Sequence, residues 1–132
     1  MDQGISKTIL IVEDEESLRK ALEQKFTHEG FHVLCAQDGE EGFRMAVREE
    51  PDILLVDIIM PRMDGMTMLK KLRKESAWGS RIPVIFLTNV SPFDEGKIKE
   101  ISETEPVHYW VKARTALQDI VEKVQIQLER PR

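Results

Sequence analysis

Acidic residues that follow short apolar runs are the first groups in this chain that could do chemistry. Ile9-Leu10-Ile11-Val12 runs into Glu13-Asp14-Glu15-Glu16, and Ile53-Leu54-Leu55-Val56 runs into Asp57. Two later runs end in groups of another kind: Pro83–Leu87 leads to Thr88-Asn89, and His108–Val111 leads to Lys112-Ala113. If Glu13, Asp14 and Asp57 converge, three carboxylates repel one another and resist ionising together, so something positive must sit among them. A hard cation such as Mg²⁺ meets that need, because it takes a few carboxylate oxygens and keeps several waters. Lys112 offers a second, fixed positive charge, and Thr88 a hydroxyl. Singly, each residue has an ordinary reading, since acids at strand ends cap helices and a lone aspartate forms turns. Acid pair, acid, hydroxyl and lysine at the ends of the first, third, fourth and fifth of five apolar runs make a constellation.

Positioning these groups requires a frame. The runs Thr8–Val12, His32–Ala36, Ile53–Val56, Pro83–Leu87 and His108–Val111 have the length and boundaries of buried parallel strands. Between them the period changes to that of helices. Leu18, Ala21, Leu22 and Phe26 form one stripe, which Gly30 stops. Asp38 with Glu41 reads as an N-cap box for a helix through Phe43, Ala46 and Val47, which Pro51 ends. Met68, Leu69 and Leu72 mark a third helix. Ser91-Pro92 opens a fourth containing Ile98 and Ile101. Thr115 with Gln118 caps a fifth, whose stripe is Leu117, Ile120, Val121, Val124 and Leu128. Strands alternating with helices imply an α/β protein with a parallel sheet covered on both faces. In such sheets ligands sit at the carboxyl ends of the strands, beside the point where strand order reverses. The acids, the threonine and the lysine all occupy such ends.

Composition narrows the classes of function. The 132 residues suit one domain, and the net charge of −5 argues against a nucleic-acid platform. No apolar run is long enough for a membrane-spanning helix, and the N-terminus lacks the pattern of a secretory signal. One cysteine, Cys35, excludes an internal disulfide and reads as an inert core residue of its strand. These features predict a cytoplasmic domain. His28 and His32 straddle Gly30 and do not make a metal pair. Lys70, Lys71, Arg73 and Lys74 read as the wet side of a helix, and Trp78 beside Gly79-Ser80 reads as loop.

Ile9-Leu10-Ile11-Val12-Glu13-Asp14-Glu15 and Asp57-Ile58-Ile59-Met60-Pro61-Arg62-Met63-Asp64-Gly65 closely resemble the receiver domain of bacterial two-component response regulators. Pro83–Thr88 and Tyr109-Trp110-Val111-Lys112 match that family's other landmarks in the same order. The resemblance spans about residues 7–128, leaving 1–6 and 129–132 as tails. It implies a flavodoxin-like (βα)5 fold with a five-stranded parallel sheet of order 2-1-3-4-5, helices on both faces. It implies that Asp57 accepts a phosphoryl group from a sensor histidine kinase or a histidine phosphotransfer protein. Glu13, Asp14, Asp57 and the backbone carbonyl of Ile59 would hold Mg²⁺, with Glu13 acting through a metal-bound water. Thr88 and Lys112 would meet the phosphoryl oxygens, and Thr88 and Tyr109 would act as the switch. The change would reach a surface made by the fourth helix, fifth strand and fifth helix, which would contact a downstream target or output domain or pair two copies. No direct nucleic-acid or membrane contact is implied, and the chain would be a stand-alone receiver or one cut from a longer regulator.

Those roles agree with elementary chemistry. Phosphoryl transfer needs in-line positioning of the nucleophile and neutralised charge on the equatorial oxygens. The product carries nearly two negative charges and three strong acceptors, which Thr88 and Lys112 can meet. Two positions depart from the family pattern: Ala113 stands where proline usually follows the lysine, and Asn89 where a small residue usually follows the threonine. Ile59 and Val90, both apolar, flank Asp57 and would hinder a hydrolytic water. A magnesium-dependent phosphatase would want an acid two residues after its nucleophile, and that position is Ile59. A nucleotide site would be repelled by Glu13-Asp14-Glu15-Glu16. The remaining alternative is a receiver-fold interaction module that is not regulated by phosphorylation.

Overall fold

A computed structural model describes residues 6–88, 108–111 and 116–129. Expectations for Asn89, Val90, the helix opening at Ser91, Lys112, Ala113 and Thr115 lie outside the described residues. Four strands, β1 (Thr8–Val12), β2 (His32–Ala36), β3 (Ile53–Asp57) and β4 (Val84–Thr88), form a parallel sheet in the order β2-β1-β3-β4. A four-residue strand, β5 (His108–Val111), runs parallel to β4, with Tyr109 opposite Phe86 and Val111 opposite Thr88. The architecture is that of a flavodoxin-like α/β fold.

Alternation along the strands divides the interior into two layers. Leu10, Val12, Leu54, Val56 and Phe86 face α2 (Gly39–Glu49) and α3 (Gly65–Glu75), where Ala46, Met68, Leu69 and Leu72 meet them. Ile9, Ile11, Ile53, Leu55, Ile85 and Leu87 face α1 (Glu16–His28) and α5 (Leu117–Glu129), meeting Leu22, Phe26, Ile120, Val121 and Val124. The near-continuous apolar runs of the central strands follow from this double burial. A one-residue slip would exchange the two layers, so the pattern fixes the register Val12–Ala36 and Val12–Val56.

Local signals set the helix ends. Gly30, at φ 97°, closes α1 in a Schellman motif: Phe31 N–H donates to Phe26 O at 3.0 Å and Gly30 N–H to Thr27 O at 3.0 Å. The apolar contact that accompanies this motif is the edge-on packing of Phe26 and Phe31, with ring centroids 5.1 Å apart. Asp38 caps α2 as its spacing from Glu41 implies, accepting the Glu41 N–H at 2.9 Å. The reciprocal half of the box falls one residue earlier, where the Glu41 carboxylate accepts the Gln37 N–H at 2.8 Å.

Three expectations need correction. Trp78 does not lie in a loop but in a short helix, α4 (Ala77–Arg81), whose first turn Ser76 caps by accepting the Gly79 N–H at 3.1 Å. Gly79 sits so close to the Leu72 carbonyl that no β-carbon fits, and Trp78 packs on the α2–α3 layer. Cys35 is half-buried rather than in the core, because β2 is the sheet's edge strand. β4 begins at Val84, not Pro83: proline has no N–H for the ladder, and only its carbonyl bonds, to Leu54 N–H at 3.1 Å.

Candidate functional site

The site is built where β1 and β3, adjacent and parallel, both end. Val12 pairs with Val56, so the residues that follow them emerge side by side. Carboxylate oxygens of Glu13, Asp14 and Asp57 all lie within 4.8 Å of one another. Glu13 and Asp57 are buried, at 1% and 5% exposure, and Asp14 is open to solvent. Two buried acids and one exposed acid at that spacing form a negative cluster that is open to solvent on the Asp14 side. Oxygens that share an octahedral Mg²⁺ at about 2.1 Å stand roughly 3–4 Å apart, so small side-chain rotations bring this donor set onto one ion. The residues present therefore fit the cation that their chemistry demands.

The loop after β1 is short. Glu15 N–H donates to the Glu13 carboxylate at 3.0 Å, turning that side chain back toward the loop. Arg19, one turn into α1, donates to the Glu13 carbonyl at 3.0 Å and reaches the Asp14 carbonyl at 3.5 Å. The guanidinium thus holds the backbone of the acid pair. Sequence reasoning did not single out Arg19, and its i,i+5 and i,i+6 distances from the acids were the available signal.

The loop after β3 is longer and more tightly tied. Ile59 N–H donates to Asp57 Oδ1 at 3.3 Å, so the backbone two residues on orients the carboxylate. Gly65 N–H returns to the Ile58 carbonyl at 2.7 Å, joining the loop's two ends. A β-carbon at residue 65 would overlap the Asp57 carbonyl oxygen, which explains why glycine ends the Met63-Asp64-Gly65 stretch. Asp64 then caps α3, accepting the Thr67 N–H at 2.7 Å. Ile59 itself is 62% exposed at the mouth of the site, with no acid in the place a phosphatase would need one.

Arg62 was also missed. Its Nε and Nη2 donate to Asp38 Oδ2 at 2.9 and 2.8 Å, crossing from the β3–α3 loop to the cap of α2. The Glu41 N–H and then the Arg62 cation hold the Asp38 carboxyl below its ordinary pKa, against the opposing effect of burial. Burial pushes the Cys35 thiol in the other direction, up to about 11, so it is not a nucleophile at neutral pH.

Of the residues expected in the site, Glu13, Asp14 and Asp57 are brought together, and Ile59 follows Asp57 into the loop. Thr88 closes β4 and Tyr109 lies in β5; Lys112 is outside the described residues. His28 and His32 are both exposed, on either side of Gly30.

Residues 9–125 match the family model described as the response regulator receiver domain. The chain belongs to this family. It is a receiver domain of two-component regulators, a module of phosphorylation-dependent signalling. The transcriptional regulatory protein PhoP of Bacillus subtilis, named for alkaline phosphatase synthesis, is 36% identical over 84 residues, covering 64% of this chain and 34% of PhoP. The response regulator PleD of Caulobacter vibrioides is 43% identical over 84 residues, covering 64% of this chain and 18% of PleD. This receiver chain spans about a third of the length of the first curated relatives it matches. Among solved structures, the Francisella response regulator 1452 receiver domain superposes with a TM-score of 0.84 at 26% identity, covering 95% of this chain and 98% of that one. The receiver domain of the sensor histidine kinase PA1611 from Pseudomonas aeruginosa shares the fold, with a TM-score of 0.84 at 24% identity over 96% of this chain and all of that one. That structure carries a magnesium ion in its active-site cleft.

Proposed function

We propose that this receiver switches on phosphorylation of Asp57, with the phosphoryl group taken from a phosphohistidine on a sensor kinase or phosphotransfer protein. The observation that carries the reading is the meeting of Glu13, Asp14 and Asp57 oxygens within 4.8 Å at the ends of adjacent parallel strands. Asp57 is the nucleophile: its carboxylate oxygen forms the new P–O bond as the bond to the histidine nitrogen breaks. Ile59 N–H keeps the carboxylate oriented for that in-line approach. Asp14, Asp57 and the Ile59 carbonyl would hold Mg²⁺ directly, and Glu13 would act through a metal-bound water. When bound, the ion offsets charge on the transferring phosphoryl oxygens.

In the same reading, Thr88 and Lys112 meet the acyl phosphate, and Tyr109 follows Thr88. The fifth strand completes the order 2-1-3-4-5 beside β4, and the receiver unit runs over about residues 7–128. The signal leaves through the surface around Tyr109 and the last helix, to a downstream protein, an output domain or a second copy. The protein acts in the cytoplasm, as its kinase partners require, and makes no direct contact with nucleic acid.

Intact mass after incubation with Mg²⁺ and acetyl phosphate tests the reading. A gain of about 80 Da that disappears in Asp57→Asn is expected. No gain in folded, magnesium-bound protein would overturn it.

A further inference from the structure

We propose that Arg62 is a positioning residue for the magnesium side of this site, acting through the β3–α3 loop; the inference rests on the function proposed above. Arg62 adopts φ 66°, in the left-handed region that a residue with a β-carbon rarely enters. Met63 N–H donates to the Pro61 carbonyl at 2.7 Å, so Arg62 is the centre of a γ-turn with positive φ, a strained geometry. Such strain persists where the surroundings over-determine it, and here they do. Gly39, at the start of α2, lies against the Met63 carbonyl with no room for a β-carbon. Gly65 bonds the Ile58 carbonyl at the loop's other end. The Arg62 fork supplies the remaining tie.

Its partner is well placed for the task. Asp38 is only 8% exposed at its side chain, whereas Arg62 is 60% exposed. One Asp38 oxygen caps α2 through Glu41 N–H, and the other receives both Arg62 nitrogens. The carboxylate cannot move without uncapping a helix, so it is a fixed post. The guanidinium anchors the crest of the loop to that post by two charge-assisted bonds. Between Arg62 and β3 lies Ile59, whose N–H orients Asp57. Its carbonyl is the backbone ligand proposed for the ion. Releasing the crest therefore loosens a metal ligand and the orientation of the nucleophile together.

The test uses the whole chain and reads Mg²⁺ affinity by isothermal titration, alongside acetyl phosphate kinetics and thermal unfolding. Arg62→Gly is the informative variant, because glycine adopts φ 66° freely and folding is not at risk. Outer contacts of metal sites control affinity by about 10–100-fold, and an exposed arginine acting through a loop belongs near the lower bound. Arg62→Gly is expected to weaken Mg²⁺ binding about five- to tenfold, and Asp38→Asn, which retains a capping oxygen, by a similar factor. The double variant should be no weaker than either single one, and Arg62→Lys should fall between. Magnesium affinity within twofold of the unaltered chain in Arg62→Gly, whatever its melting point, would overturn the proposal alone. An unaltered chain that neither binds Mg²⁺ nor gains phosphoryl mass would overturn the proposed function and this inference with it.

Discussion

The loop after β1 covers three residues, 13–15, whereas the loop after β3 covers seven, 58–64. They meet at one site, yet they are held in different ways. Glu15, which precedes α1, makes no capping bond from its side chain, and Asp14 projects into solvent. The β3–α3 loop instead has a backbone tie across its ends, a γ-turn, a clasp to Asp38 and a capped exit into α3. The first loop supplies charge and the second supplies position. A nucleophile gains from fixed orientation, while acids that share a cation must shift slightly as it arrives.

Gly65→Ala should break the second loop with the largest effect of any change considered. The added β-carbon meets the Asp57 carbonyl oxygen and a Val56 methyl, both in the packed end of β3. Backbone does not give way as a flexible side chain does, so a loss of about 3 kcal/mol is expected. Urea unfolding measures it. A loss below about 1 kcal/mol would mean that the β3–α3 loop is less rigid than its contacts imply.

Asp14→Asn is the converse change in the first loop. Removing one of three clustered carboxylates relieves repulsion, so stability without magnesium should not fall. Magnesium binding stabilises a folded protein in proportion to its affinity. A rise in melting temperature is expected when about 10 mM Mg²⁺ is added to the unaltered chain, and in Asp14→Asn it should largely vanish. Loss of stability in the metal-free variant would show that Asp14 holds the fold as well as the ion.

This division explains what the sequence disclosed. Among the described residues, most strand and helix placement was legible because the apolar runs, Gly30, Asp38 and Pro51 each act within a few residues. Glu13, Asp14 and Asp57 were legible as well, since the ends of the first and third strands converge once those strands are parallel neighbours. Arg62 was not. Its partner is 24 residues earlier, and nothing local marks residue 62 as left-handed. Trp78 was misread because glycine and serine beside it outweighed Ser76 as a capping signal. Cys35 was placed too deep because periodicity identifies a strand but not which strand lies at an edge.

Asp38 links the two behaviours through pH. Its folded-state pKa is lowered, so it contributes stability above its ordinary value near 3.9 and loses it as pH falls through the lower, folded value. Asp38→Asn keeps an oxygen for the Glu41 N–H but cannot be protonated in that range. The variant should be less stable than the unaltered chain at pH 7, and the difference should shrink steadily below about pH 4. A difference that stays constant from pH 7 to pH 3 would show that the Asp38 charge does not stabilise the clasp.

Glu16→Gln should have the smallest effect, and it marks where the acidic run stops belonging to the site. Glu16 is exposed and pairs with Lys20 at 2.8 Å, one turn along α1. The Lys20 hydrogen bond, and then its charge, hold the Glu16 carboxyl below the ordinary range, so its proton is gone throughout neutral pH. Exposed pairs of this kind contribute little because water and salt screen them. The melting temperature should therefore move by less than about 1 °C. Magnesium affinity should also stay within about twofold, since the carboxylate is engaged along the helix and charges in solvent act weakly across a Debye length. A larger drop in affinity would extend the metal's field past Asp14 into α1. The first loop and the start of α1 would then work together as a run of four acids rather than as a pair with two solvated neighbours.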